Sequence, residues 1–288
     1  MATRNHVENP AEFMLEKLTW AVRDFGRLIV PHPERHAGQA VPDVRRIGFA
    51  DLRDALRAGV ADMAALRDDI LFIALIYPLA GLVLAAAAAN TNLLMMLFPL
   101  ASGFAIVAPV AATGLYEMSR RRERGERVTW IDAFKAFGSP AIGSIVGMGL
   151  ILLALFGLWL AVAYQIGQAT LGGGAPPTLS MFARQVFASP ASAPLIVGGV
   201  GAGFLFAAVA FAMSVVSIPL LLDRDVGLWT AIGTSLKAVA ANPGPMAAWA
   251  GIIAAALVVG SIPLLVGLIL VVPILGHASW HLYRKLVA

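Results

Sequence analysis

Long apolar segments separated by short polar stretches are the feature that most constrains what this chain can fold into. Six of them reach at least about 17 residues, the lower end of what an α-helix needs to cross a bilayer. The predicted spans are at about residues 70–89, 93–116, 141–163, 194–222, 246–262 and 264–282. The last two form one apolar run that a Gly-Ser-Ile-Pro turn at residues 260–263 divides. The predicted fold class is all-α, a polytopic membrane protein of three helical hairpins.

Composition indicates that lipid is the solvent of most of the chain. Of 288 residues, 59% are hydrophobic and 13% are charged, about half the charged fraction of a typical soluble domain. The net charge of +4 comes from basic residues beside apolar spans, which predicts membrane orientation and no nucleic-acid partner. The chain has no cysteine, so disulfides, thiolate metal sites and thiol catalysis are excluded.

The positions of the 21 lysines and arginines predict the orientation of the spans. Twenty fall in segments on one side of the predicted membrane, and only Arg184 falls on the other. By the positive-inside rule, the basic side is cytoplasmic in a bacterial inner membrane, and it includes both termini. Residues 1–45 are polar and carry four prolines, so we expect a flexible cytoplasmic tail before the membrane domain at 46–288.

A seven-residue pattern occurs three times, each time before an odd-numbered span. The copies are Leu52-x-x-Ala55-Leu56-Arg57-Ala58, Trp130-x-x-Ala133-Phe134-Lys135-Ala136 and Ile232-x-x-Ser235-Leu236-Lys237-Ala238. Around the first copy, one helical face carries Phe49, Leu52, Leu56, Val60 and Met63, and charged residues including Asp62 occupy the rest. This distribution predicts cytoplasmic amphipathic helices lying in the membrane plane, whose aligned Arg57, Lys135 and Lys237 reach lipid phosphates.

A dense basic cluster follows the second predicted span. Its members are Arg120, Arg121, Arg122 and Arg124, and with the three aligned repeat residues they are the candidate contacts for anionic headgroups or for a membrane protein complex. A solvated loop that only fixes topology would also explain the cluster. Glu117 and Asp223, at the ends of spans two and four, are expected to form interfacial ion pairs.

His277 and His281 are the candidate metal ligands, because residues four apart share a helix face and could bind one metal ion or bracket a haem edge. The favoured alternative places them at the cytoplasmic interface beside Trp280 and Tyr283. No third ligand is evident, so no cofactor is predicted. The central half of each predicted span lacks ionisable residues, which argues against ion-coupled transporters and intramembrane hydrolases.

Four phrases carry a resemblance to a known family: Val44-Arg45-Arg46-Ile47-Gly48-Phe49, Tyr77-Pro78-Leu79-Ala80-Gly81, Gly114-Leu115-Tyr116-Glu117-Met118-Ser119-Arg120-Arg121-Arg122 and Gly276-His277-Ala278-Ser279-Trp280-His281. Together they resemble predicted bacterial integral membrane proteins classed as domain of unknown function 2189, from about Val44 to Val287. That family has no assigned activity, so the resemblance implies no catalytic residues.

The sequence thus predicts a non-enzymatic inner-membrane protein that serves as an accessory, assembly or scaffold component. Its expected partners are membrane lipid, including anionic headgroups, and a membrane protein complex. Two alternatives stay open at this point. One is a permease for a neutral or amphipathic solute, with proline-broken spans as its moving parts. The other is a metal- or haem-handling protein that uses His277 and His281.

Overall fold

Helices make up most of the described part of the chain, which contains no strands apart from an isolated bridge between Val44 and Val287. A computed structural model describes residues 42–66, 78–79, 81–83, 85–86, 94–171, 178–224, 226–263 and 265–288. Its α-helices, numbered in chain order, are α1 Phe49–Ala65, α2 Leu97–Ala111, α3 Thr113–Glu123, α4 Ile142–Leu171, α5 Leu179–Ala188, α6 Ser192–Ser214, α7 Ser217–Asp223, α8 Leu228–Ala241, α9 Pro243–Ser261 and α10 Leu268–Leu286. A 3₁₀ helix at Trp130–Gly138 joins α3 to α4.

Four described segments are long and apolar enough to cross a membrane. They are Leu97–Glu123, Ile142–Leu171, Ser192–Asp223 and Pro243–Ser261, which correspond to predicted spans two to five. The first predicted span, residues 70–89, lies mostly outside the described residues. The sixth corresponds to α10, which is not one of the four because its second half is rich in polar side chains.

One part of the apolar core is formed by α2, α4 and α6, which pack against one another. Trp159 of α4 is fully buried between the other two helices, and its ring lies 5.8 Å from that of Phe206. A buried indole N–H needs an acceptor, and Trp159 Nε1 donates to the backbone oxygen of Pro99 at 3.0 Å. The side chain therefore fixes the relative positions of three helices at one point.

Predicted span four is divided into α6 and α7 by a side chain from α8. Ser235 Oγ donates to the backbone oxygen of Ala212 at 2.7 Å and accepts from the backbone N–H of Val216 at 3.2 Å. These two groups are four residues apart and would bond each other in a regular helix. The inserted hydroxyl satisfies both groups and accounts for the break, as side chains inserted into a helix ladder commonly do.

The predicted turn between spans five and six is confirmed, with α9 ending at Ser261 and α10 starting at Leu268. However, α10 starts and ends four residues later than the predicted span, which places His277 at its midpoint. Because α10 is not one of the four candidate spans, the absence of ionisable residues from the span centres stays a prediction here. α10 packs against α1, so its polar end is covered by protein.

The start of the described chain is paired with its end. The backbone N–H of Arg45 donates to the oxygen of Leu286 at 2.8 Å, and that of Ala288 donates to the oxygen of Asp43 at 3.1 Å. Buried Asn242 accepts from the N–H of Ile47 at 2.8 Å. These contacts begin at Asp43, and the boundary of the tail at residue 45 stays a prediction. The remainder of that tail, residues 1–41, lies outside the described residues.

Candidate functional site

Charged side chains from α1, α3, the 3₁₀ helix, α7 and α10 interact with one another at one end of the bundle. We call this region, together with the neighbouring helix α8, the charged end. It contains two polar centres that sequence spacing alone does not reveal. The first joins α1, α3 and α10 around histidines, and the second joins α3, α7 and the 3₁₀ helix around arginines.

The first centre, which we call the histidine network, is organised by Asp62. Its Oδ2 accepts from Ser119 Oγ at 2.6 Å and lies 2.9 Å from His281 Nε2. Its Oδ1 lies 3.1 Å from Arg122 Nη1. Ser119 Oγ is also 2.6 Å from Nδ1 of His277. Three helices are therefore joined through one carboxylate that is only 6% exposed.

Electrostatics keep this carboxylate ionised at neutral pH. Burial alone would raise the pKa of Asp62, but hydrogen bonds with His281 and Ser119 lower it below the ordinary value of 3.8. A buried negative charge is tolerated only when donors surround it. Ser119 and Arg122 of α3 and His281 of α10 supply those donors, so the network binds α1 to both helices.

The two candidate metal ligands share a helix face, as predicted, and each directs one ring nitrogen into the network. These nitrogens are already engaged, Nδ1 of His277 with Ser119 and Nε2 of His281 with Asp62. Nε2 of His277 is buried and has no partner within the described part of the chain. Among those same residues, no three His, Cys, Asp or Glu side chains converge as metal ligands. Metal binding by this pair stays a prediction.

The second centre is organised by Glu117, whose side chain is 1% exposed. Its Oε2 pairs with Arg120 Nη2 at 2.7 Å, and its Oε1 pairs with Arg121 Nε at 2.6 Å. Arg120 Nη1 continues to the backbone oxygen of Leu222 at 3.0 Å, at the end of α7. Since that carbonyl lies in the last turn of a helix, the arginine also caps α7 and ties it to α3.

Beside this centre lies a cavity of about 290 Å³, which we call the basic pocket. Its wall comes from α3, the end of the 3₁₀ helix, the start of α4 and the end of α7. The charged lining residues are Glu117, Arg120, Arg121, Lys135, Asp223 and Arg224, and the rest of the wall is Gly138, Ser139, Pro140, Ala141, Leu221 and Leu222. Four of these charged lining side chains are basic and two are acidic.

The 3₁₀ helix that carries Lys135 into the pocket starts with a capping box. Asp132 accepts from the backbone N–H of Thr129 at 2.7 Å and from its hydroxyl at 3.1 Å. Bonds from Lys135 and from the Thr129 backbone lower the pKa of Asp132 to about 2. The same helix exposes apolar side chains on its outer side, including Phe134 and Phe137, whose rings stack 6.4 Å apart.

The end of α10 is held between two acidic residues. Arg284 Nε pairs with Glu123 at 3.0 Å, and its Nη1 lies 3.4 Å from Asp223. Trp280 Nε1 donates to Glu123 at 3.1 Å, and the Tyr283 hydroxyl donates to Asp223 at 2.8 Å. The expected ion pairing of Asp223 is thus present, but its nearer arginine comes from α10.

The seven basic residues singled out from the sequence separate into three groups. Arg120, Arg121 and Lys135 meet at the basic pocket, and Arg122 turns to the histidine network. Arg57, Arg124 and Lys237 are exposed and belong to neither centre, and Lys135 is exposed at the edge of the pocket.

Two residues of the histidine network were not predicted as site residues, Asp62 and Ser119. A signal for Asp62 was present, because Leu52, Ala55, Gly59 and Asp62 recur at helical spacing on one buried stripe of α1.

Comparison with known proteins gives a family and no characterised relative. No curated protein matches the chain. No solved structure matches it either. Residues 97–223 match the family model described as predicted integral membrane protein, DUF2189. The match runs from α2 to α7, so it includes Glu117, Ser119 and Asp223, and it confirms the resemblance over a shorter range than the sequence phrases indicated. With its apolar helices, this chain is an integral membrane protein that carries the DUF2189 family pattern over residues 97–223.

Proposed function

We propose that this protein is a non-enzymatic accessory, assembly or scaffold component of the bacterial inner membrane. In this proposal it has six spans and cytoplasmic termini, and the charged end is its cytoplasmic contact surface. The supporting observation is that two corresponding positions of the three repeat copies have the same burial or exposure. The fourth residue of each copy is buried, namely Ala55, Ala133 and Ser235. The sixth is exposed and basic, namely Arg57, Lys135 and Lys237.

Two of the three copies also expose a large apolar side chain near the basic residue, Phe134 in the second copy and Leu236 in the third. Phe49, which is exposed too, precedes the first copy by three residues. Apolar side chains that recur in this way on one end of a protein mark a surface that contacts membrane or protein. A surface on which apolar and basic side chains alternate is typical of protein segments at the level of lipid headgroups.

The charged end is also braced internally, as a scaffold requires. The histidine network fixes α1 and α3 to α10, and Arg284 fixes α10 to the ends of α3 and α7. A surface held by several interlocked side chains changes little on binding, so it can present its outer residues in fixed positions.

Photocrosslinking in cells tests this function. A benzophenone amino acid replaces Phe134 or Leu236 at the charged end, and Leu158 of α4 is the matched control because it is exposed but lies in the middle of an apolar span. We expect both charged-end positions to crosslink the same protein, identified by mass spectrometry, and the control to crosslink lipid. Equal protein crosslinking from Leu158, or none from the charged end, would contradict the proposal.

A further inference from the structure

We propose that the basic pocket binds the phosphate group of an anionic phospholipid headgroup. This inference deepens the proposed function, because it gives the charged end a lipid ligand in addition to a protein partner. It is tested on the purified protein, so its failure is separate from a failure to find a partner in cells.

The first support is that the guanidinium groups of Arg120 and Arg121 are held in place while their hydrogen-bonding capacity is only partly occupied. Glu117 occupies part of the hydrogen-bonding capacity of Arg120 and Arg121, and so holds both guanidinium groups in place. A guanidinium has five N–H donors. Arg120 uses three of them, Nε and Nη2 towards Glu117 and Nη1 towards Leu222. Arg121 uses two, Nε towards Glu117 and Nη1 towards Glu126. Lys135 and Arg224 bring further charge to the wall, and arginines fixed in this way are suited to phosphate.

The second support is the level of the pocket in the bundle. Pro140 and Ala141 of its wall directly precede α4, a helix long and apolar enough to span hydrocarbon. Leu221 and Leu222 of the opposite wall end another such segment. The pocket is therefore where the apolar helices stop and charged side chains begin, which is the level of lipid phosphates. The first turn of α4 adds the partial positive charge of a helix N-terminus.

The third support is the apolar surface beside the pocket. Lys135 and Gly138 line the cavity, and the same 3₁₀ helix exposes Ile131, Phe134 and Phe137. A soluble phosphate ester has no acyl chains to pack against this apolar surface. A phospholipid would place its phosphate in the pocket and its acyl chains against the aromatic rings. Amphipathic helices at the membrane interface contact lipid through an apolar face of this kind. The cavity volume is near the lower end of the range for ligand pockets, which begins at about 300 Å³. A cavity of this size suits a headgroup rather than a whole lipid.

Native mass spectrometry of the purified full chain, after exchange into defined lipid, measures this binding. The probes are phosphatidylglycerol, phosphatidylcholine and soluble glycerol 1-phosphate. The pocket variants are Lys135→Gln and Arg224→Gln, and the matched controls are Arg53→Gln and Arg184→Gln, which remove the same charge at exposed positions outside the pocket. Thermal unfolding verifies that each variant folds, and either pocket variant alone suffices for the test.

We expect the wild-type protein to retain phosphatidylglycerol in preference to phosphatidylcholine. Each pocket variant should lower phosphatidylglycerol affinity about 5-fold, the factor for one basic charge near an anionic headgroup, and each control less than about 2-fold. Equal retention of the two lipids would overturn the proposal, as would equal losses in pocket and control variants. If glycerol 1-phosphate binds as tightly as phosphatidylglycerol, the assignment to a membrane lipid is overturned.

Discussion

Asp62 is a carboxylate on a helix with an amphipathic pattern, and the sequence assigned it to the polar face. The structure buries it because it continues the stripe of Leu52, Ala55 and Gly59 that packs on α10. Helical spacing placed it on that stripe, but the charge of the side chain argued for the opposite face. The buried carboxylate is tolerated because Ser119 and His281, which lie on other helices, donate hydrogen bonds to it. Residue spacing within one helix contains no information about these partners.

Replacing Asp62 with asparagine should destabilise the protein by about 3 kcal/mol, because it leaves Arg122 near a site with no compensating charge and removes acceptors from Ser119 and His281. The measurement is thermal unfolding in detergent, where we expect a markedly lower Tm. Asp54→Asn is the matched control on the same helix, since Asp54 is half-exposed and lies 3.7 Å from Lys285. We expect a cost of about 0.5 kcal/mol or less for the control. Equal Tm values for the two variants would contradict the role of the network.

Asp132 provides a prediction about pH at a single carboxyl group. Its folded pKa of about 2 lies below the ordinary value of 3.8, so its contribution to stability is complete above about pH 5. That contribution is lost as the pH falls through 4 to 2. An NMR titration of the carboxyl carbon should show a midpoint near 2, and Lys135→Gln should raise it because the lysine bond is the largest cause. A midpoint that Lys135→Gln leaves unchanged would refute this explanation.

At the scale of elements, the crossing of α1 over α10 could not be predicted from amphipathicity. The pattern around the first repeat copy predicted a helix lying on the membrane, with Phe49 and Val60 on the same apolar face as Leu52. In the structure Leu52 and Met63 are buried while Phe49 and Val60 are exposed, so the buried face is rotated from the predicted one. The reason is steric, because only a stripe with Ala55 and Gly59 lets the two backbones come this close.

Gly59→Ala should therefore separate α1 from α10. A Cβ at this position would lie 2.6 Å from the backbone N of Ala278 and 2.7 Å from the oxygen of Ile274, and backbone atoms can yield only if a whole helix moves. We expect a loss of about 2 kcal/mol in the free energy of unfolding. Gly233→Ala in α8 is the matched control, because a Cβ there meets open space.

The control should be neutral or up to about 1 kcal/mol more stable, from the higher helix propensity of alanine. Both variants are measured by thermal unfolding in the same detergent. If Gly59→Ala were as stable as the control, this result would contradict the close contact between the backbones of α1 and α10.

At the scale of the whole molecule, orientation follows from charge rather than from packing. Single cysteines are a clean probe because the natural chain has none. With six spans and both termini inside, a membrane-impermeant maleimide should label Asn90→Cys and Arg184→Cys in intact cells. It should label Arg124→Cys and Ala288→Cys only after the membrane is opened. Labelling of Asn90→Cys and Arg184→Cys from opposite sides would change the number of spans.

The sequence by itself determined the all-helical class of the described chain, four candidate spans and the turn between α9 and α10, because lipid solvation depends on the length and polarity of continuous segments. It also identified the arginines and histidines that carry the polar chemistry. Tertiary structure decided how those residues group, with Arg122 turned towards Asp62, Arg120 and Arg121 held by Glu117, and Ser235 inserted into another helix. Each of these contacts joins residues on different helices or chooses between adjacent side chains, so it depends on how the helices pack and not on the spacing within any one of them.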